Sequence, residues 1–120
     1  MKVLVIDDEA LIRKSLIRAF KAKGHEVFEA PDGLEGVRLW REHKPDLIFL
    51  DVLMPGLTGP QVLREMGPER SGKVVLISAY TGEYNLEAAQ QIGADLFVAK
   101  PFDDIFSLVR QGELLTHAPS

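Results

Sequence analysis

Short apolar runs alternate with amphipathic segments along almost the whole chain. Val3-Leu4-Val5-Ile6 reads as a strand buried on both faces. Ala10 to Lys23 then carries Leu11, Ile12, Leu16, Ile17, Ala19 and Phe20 at helical spacing, and Gly24 stops it. Glu26 to Ala30 alternates polar and apolar, which suits an edge strand with one wetter face. After Pro31, Asp32 caps a helix bearing Leu34, Val37, Leu39 and Trp40. Leu47-Ile48-Phe49-Leu50 is a third strand. Pro60 opens a helix through Met66, which Gly67-Pro68 keeps to about two turns. Lys73 to Ser78 and Leu96 to Ala99 are further strands, separated by a weakly amphipathic helix over Asn85 to Ile92. Asp103 or Asp104 starts a last helix with Ile105, Phe106, Leu108 and Val109 on its apolar stripe, and Thr116 to Ser120 is expected to fray. Strict alternation of this kind predicts an α/β, doubly wound domain: a five-stranded parallel sheet with helices on both faces.

Open α/β sheets place their sites outside the carboxyl ends of the strands. The first strand ends in Asp7-Asp8-Glu9, the third in Asp51, the fourth in Ser78 and the fifth in Lys100-Pro101. The carboxylates of Asp7, Asp8 and Asp51, a hydroxyl and an ammonium are therefore expected on one rim. Crowded carboxylates either rise in pKa or take up a cation. Acid oxygens without His or Cys suit a hard ion, Mg2+ or Mn2+ in its place. With Lys100 as a second positive charge and Ser78 as a donor, such a site suits a transferring phosphoryl group, with a carboxylate as nucleophile.

Composition narrows the reading further. The 120 residues suit one domain over 1–120, and 46% of them are hydrophobic, enough for a shared core. The formal net charge of -4 offers no basic patch, so direct nucleic-acid binding is not expected. With no cysteine, disulfides and thiolate metal sites are excluded. The opening apolar run is too short for a signal peptide, and no stretch is long enough to span a membrane, so a cytoplasmic protein is expected. His25, His43 and His117 lack partners at metal spacing and read as surface residues. Trp40 reads as packing a helix onto the sheet, and the glycines make no nucleotide fingerprint.

Taken together, Val3 to Glu9, Asp51-Val52-Leu53-Met54-Pro55-Gly56 with Gly59, Ile77-Ser78-Ala79, and Gly93-Ala94-Asp95 leading to Lys100-Pro101-Phe102 resemble the response-regulator receiver domains. The likeness extends over essentially the whole chain and includes the single-domain type. It implies the sheet order 2-1-3-4-5, which is a known example of this fold class. It implies that Asp51 is the phosphate acceptor and that Asp7, Asp8, Asp51 and the Leu53 backbone carbonyl hold the metal. Ser78 and Lys100 would contact the phosphoryl group, and the Lys100–Pro101 peptide would be cis. The donor would be a phosphohistidine on a sensor histidine kinase or a histidine phosphotransfer protein. Phosphorylation would draw in the Ser78 hydroxyl, let Phe97 turn inward and alter the surface of the fourth helix, fifth strand and fifth helix for a downstream protein effector. The chain would act as a monomer or a weak phosphorylation-dependent dimer, catalysing only its own phosphorylation and dephosphorylation.

The sequence departs from the family pattern in two places. Phe97 is often tyrosine there, so the switch here would be read by shape without a hydroxyl. Leu53 and Tyr80 flank the expected path of hydrolytic water and orient it poorly, which implies a long-lived acyl phosphate. Two other functions compete. A magnesium-dependent aspartyl phosphatase or phosphotransferase usually has a second acid where Leu53 stands. A degenerate receiver serving only as an interaction module would lack one of the acids or the lysine, and none is missing.

Overall fold

The computed structural model describes residues 1–79 and 85–117. In chain order the elements are β1 (Lys2–Ile6), α1 (Ala10–Ala22), β2 (Glu26–Ala30), α2 (Gly33–His43) and β3 (Leu47–Asp51). They continue with α3 (Gly59–Met66), β4 (Lys73–Ser78), α4 (Leu86–Gln91), β5 (Leu96–Ala99) and α5 (Ile105–Thr116). All neighbouring strands pair in parallel, in the order β2-β1-β3-β4-β5. The fold is thus the doubly wound α/β class that the alternation predicts. Among the described residues no helix is long and apolar enough to cross a membrane.

Each central strand is apolar on both sides because each side has its own core. Val3, Val5, Leu47, Phe49, Val75 and Ile77 pack with Leu16, Ala19 and Phe20 of α1 and Leu108 and Val109 of α5. Leu4, Ile6, Ile48, Leu50, Val74 and Leu76 face the opposite way, onto Val37 and Trp40 of α2, Val62 and Leu63 of α3 and Ala89 of α4. This is the period-two alternation of a strand, with both phases buried. Trp40 is fully enclosed, and its Nε1–H donates to the Ser71 carbonyl at 3.0 Å, so the ring packs without orphaning its one donor. Gly36 lets α2 lie close on the sheet, since a Cβ there would fall 2.7 Å from Ile6 Cδ1.

The helix starts follow local chemistry. Asp32, Asn85 and Asp104 each accept backbone N–H bonds as N-caps. The α3 start differs from the expectation built on Pro60 alone. Thr58 is the cap, and with Gln61 it forms a reciprocal capping box, which lets eight residues hold as a helix. Thr116 belongs to α5 rather than to a frayed end.

Two aspartates fasten the amino ends of the strands. Asp46 Oδ2 accepts the Lys2 N–H at 2.8 Å, and its own N–H donates to the Lys2 carbonyl at 2.8 Å. Asp95 does the same to Val74, through Oδ2 at 2.8 Å and its N–H at 2.8 Å.

Two histidines depart from the surface reading. The His25 side chain is 12% exposed, with Nε2 2.7 Å from Glu113 Oε2 and Nδ1 3.1 Å from the Met1 amino group. His43 stacks on Phe28 with ring centroids 3.9 Å apart. Both contacts join residues distant in the chain, so local sequence carried no sign of them. His117 is exposed.

Candidate functional site

The carboxyl ends of β1, β3, β4 and β5 meet at one rim. Asp7 follows β1 directly, and its N–H donates to the Ala30 carbonyl at 3.1 Å, extending the β1–β2 ladder by one step. Its side chain is fully buried, and Oδ1 accepts the Glu9 N–H at 2.9 Å, which turns the chain into α1. Asp8 is exposed beside it. Asp51 closes β3 in register with Ile77 and is 4% exposed. The loop after it is tight. Gly59 donates to the Val52 carbonyl at 2.8 Å, and a Cβ on Gly59 would lie 2.6 Å from the Asp51 carbonyl oxygen. Only glycine allows α3 to begin so near the Asp51 backbone.

Ser78 ends β4 and is 1% exposed. Its carbonyl accepts the Lys100 N–H at 2.8 Å, which holds the end of β5 beside β4. The Lys100–Pro101 peptide is cis. The Lys100 side chain lies over the rim and is only 5% exposed. Its Nζ lies 2.8 Å from Asp7 Oδ2, 2.8 Å from Glu9 Oε1 and 3.5 Å from Asp51 Oδ2. Phe97 is half-buried on β5, packed against the core beneath α2, α3 and α4. Leu53 projects its side chain outward, 58% exposed. Tyr80, expected near the path of hydrolytic water, lies outside the described residues.

Electrostatics follow from this crowding. Burial, then the charge of Asp7, pushes the Asp51 carboxyl up to about 7, with Lys100 opposing the rise and Asp8 adding to it. Burial also raises Asp7, against its contacts with Lys100 and the Glu9 N–H. For Lys100, burial acts to lower the pKa, but Asp7, Glu9 and Asp51 together outweigh it and the ammonium is held charged. One cation thus serves several acids.

The donor set fits a hard cation. Asp7, Asp8 and Asp51 each offer an oxygen within 4.8 Å of the others. Asp7 Oδ2 is buried and lacks a well-directed hydrogen bond; its short approach to Lys100 is an ionic contact only. A buried carboxylate oxygen without a directed hydrogen bond, beside two more acids that share one lysine, suits a divalent ion, and all-oxygen ligation matches magnesium.

Two residues here had been given no role in the site. Glu9 touches Lys100, and Arg13 donates from Nη1 to the Asp7 carbonyl at 2.8 Å while its Nε pairs with Glu29 at 2.8 Å. Glu9 was visible as the third acid after β1. Nothing in the local sequence marked Arg13.

A parallel sheet of this order, with an acid triad and a lysine on its carboxyl rim, is the architecture of a receiver domain. The chain belongs to the family of response regulator receiver domains, whose model matches residues 3–109. Among curated relatives it is 38% identical over 102 residues to the transcriptional regulatory protein PdtaR of Mycobacterium tuberculosis, covering 84% of this chain and 50% of that one. The chain spans about half the length of the curated relatives it matches. Among solved structures, the Francisella response regulator 1452 receiver domain superposes with a TM-score of 0.87 at 29% identity, covering 96% of this chain and 95% of that one. The CheX-CheY-BeF3-Mg complex of Borrelia burgdorferi gives 0.86 at 28% identity, with 99% and 90% covered.

Proposed function

We propose that this domain is a phosphorylation-controlled switch in which Asp51 accepts a phosphoryl group from a phosphohistidine. The observation that carries this reading is the meeting of Asp7, Asp8, Asp51 and Lys100, from three separate strand ends, in one cluster. An Asp51 carboxylate oxygen forms a bond to phosphorus as the phosphorus–nitrogen bond of the donor breaks. The electron pair stays on the imidazole nitrogen, which takes a proton from solvent. The Lys100 ammonium, within 3.5 Å of Asp51, lies where a phosphoryl oxygen would develop charge. Ser78 donates its hydroxyl to a second such oxygen.

Asp7, Asp8, Asp51 and the Leu53 carbonyl would hold Mg2+ or Mn2+. The ion would neutralise the acids and so allow an anionic donor to approach. The phosphorylated state draws Ser78 toward the rim, frees space for Phe97 and changes the surface of α4, β5 and α5 for a protein effector. A sensor kinase or a phosphotransfer protein is the donor. Likeness to PdtaR, a transcriptional regulatory protein, favours transcriptional control downstream.

The test is labelling with acetyl phosphate, or binding of beryllofluoride as in the Borrelia relative's complex, in the presence of magnesium. Mass spectrometry should show one phosphoryl group, lost in Asp51→Asn. Labelling that persists in that variant would overturn the assignment.

A further inference from the structure

We infer that Glu9 is a positioning residue that competes with the phosphoryl group for Lys100. The inference rests on the receiver reading of the site and extends it to a residue with no role there.

Lys100 has three N–H bonds to give. Of the three acids around it, only Glu9 receives a well-directed hydrogen bond, at 2.8 Å. Asp7 makes an ionic contact at the same distance, and Asp51 stands at 3.5 Å. In the resting protein, then, the directed bond of the ammonium goes to the acid that is not the acceptor. Glu9 is able to provide this because it has no competing local duty. It occupies the N-cap position of α1 but makes no side-chain capping bond. Its side chain extends across the rim instead.

The three acids also differ in what they lose when Lys100 turns away. Asp7 is fully buried, and its Oδ2 would be left without a compensating charge. Glu9 is 56% exposed and returns to water at small cost. When a phosphoryl group arrives on Asp51, Lys100 keeps Asp7 and releases Glu9. Three N–H bonds would in number serve Asp7, Glu9 and a phosphoryl oxygen together, but Nζ is held 2.8 Å from Glu9 and 3.5 Å from Asp51 and has to move off Glu9 to direct a bond at that oxygen. The resting state is favoured by that contact.

Two variants separate this from plain repulsion between Glu9 and an anion. Glu9→Gln removes the charge. Glu9→Asp keeps the charge but shortens the side chain by one methylene, which lengthens its approach to Lys100. Competition for Lys100 requires both variants to bind beryllofluoride more tightly than wild type in magnesium, about two- to five-fold for a half-exposed pair. If Glu9→Asp matches wild type while Glu9→Gln binds more tightly, simple repulsion explains the effect and the inference falls. A second readout uses metal-free protein without any phosphoryl mimic. The 15N-detected ammonium signal of Lys100 should be protected in wild type and shifted in both variants. An unshifted signal would overturn the inference. Wild type that binds beryllofluoride while the variants bind equally well defeats the role of Glu9 alone. Wild type that binds none defeats the receiver reading and this inference with it.

Discussion

Replacing Asp51 with asparagine should stabilise the metal-free fold, and by more at alkaline than at acid pH. The carboxyl is held at about 7 against an ordinary 3.8, by burial first and by Asp7 next. Between those values the native state keeps a proton that the unfolded chain has released. Stability therefore falls as pH rises through this window and levels off above 7. At pH 8 the whole gap of about three units counts, at most about 4 kcal/mol at 1.36 kcal/mol per unit. At pH 5 only about one unit has been crossed, or about 1.5 kcal/mol. Asparagine has the same shape and does not ionise, so it removes this penalty. The attraction of Lys100, 3.5 Å away, is already contained in that gap; the amide's poorer match to the charged ammonium beside it lowers the net gain. The expected stabilisation is about 2–3 kcal/mol at pH 8 and about 1 kcal/mol at pH 5. For a domain of this size that is a rise of about 8–12 °C and about 4 °C in Tm. Thermal melts by circular dichroism with chelator at both pH values measure it. Saturating magnesium should then narrow the gap at pH 8, because the ion stabilises wild type more than the variant. An Asp51→Asn protein no more stable than wild type at pH 8, or equally stabilised at both pH values, would refute the claim that carboxylate crowding strains this rim.

Other substitutions probe other parts of the same construction. Gly59→Ala places a methyl group 2.6 Å from the Asp51 carbonyl oxygen, so urea titration should show a loss of about 1–3 kcal/mol, with weaker magnesium binding by calorimetry. Asp104→Ala removes the acceptor for the Phe106 and Ser107 N–H groups and should cost about 1 kcal/mol while beryllofluoride affinity stays as in wild type. Leu53→Asn should shorten the lifetime of the acyl phosphate, followed as phosphate release, because an amide at this exposed position can orient water; an unchanged rate would remove Leu53 as the reason for slow loss.

The sheet and most of the rim were legible because strands buried on both faces leave unbroken apolar runs, and the next polar residue marks the strand's end. Asp7, Asp51, Ser78 and Lys100 are found this way, by arithmetic on Val3–Ile6, Leu47–Leu50, Lys73–Ser78 and Leu96–Ala99. What stayed hidden depends on where long side chains turn after leaving the backbone. Glu9 bonds to Lys100 across 91 positions, and His25 bonds to Glu113 across 88. No periodicity encodes such meetings. His25 was misread for that reason, since a polar residue after a helix-ending glycine ordinarily faces water. The Thr58–Gln61 box was overshadowed by Pro60, a stronger local signal that sits inside the helix it was expected to start.

Asp46 and Asp95 lie at the far end of the sheet from the chemistry, yet they govern it. Each fixes which residue of one strand stands opposite which residue of the next. A strand's side chains alternate sides, so sliding a pairing by a single position would turn Asp51 or Ser78 away from its neighbours. The two distant carboxylates therefore act as alignment pins, and damage to either would present in a functional assay as damage to the phosphoacceptor rim.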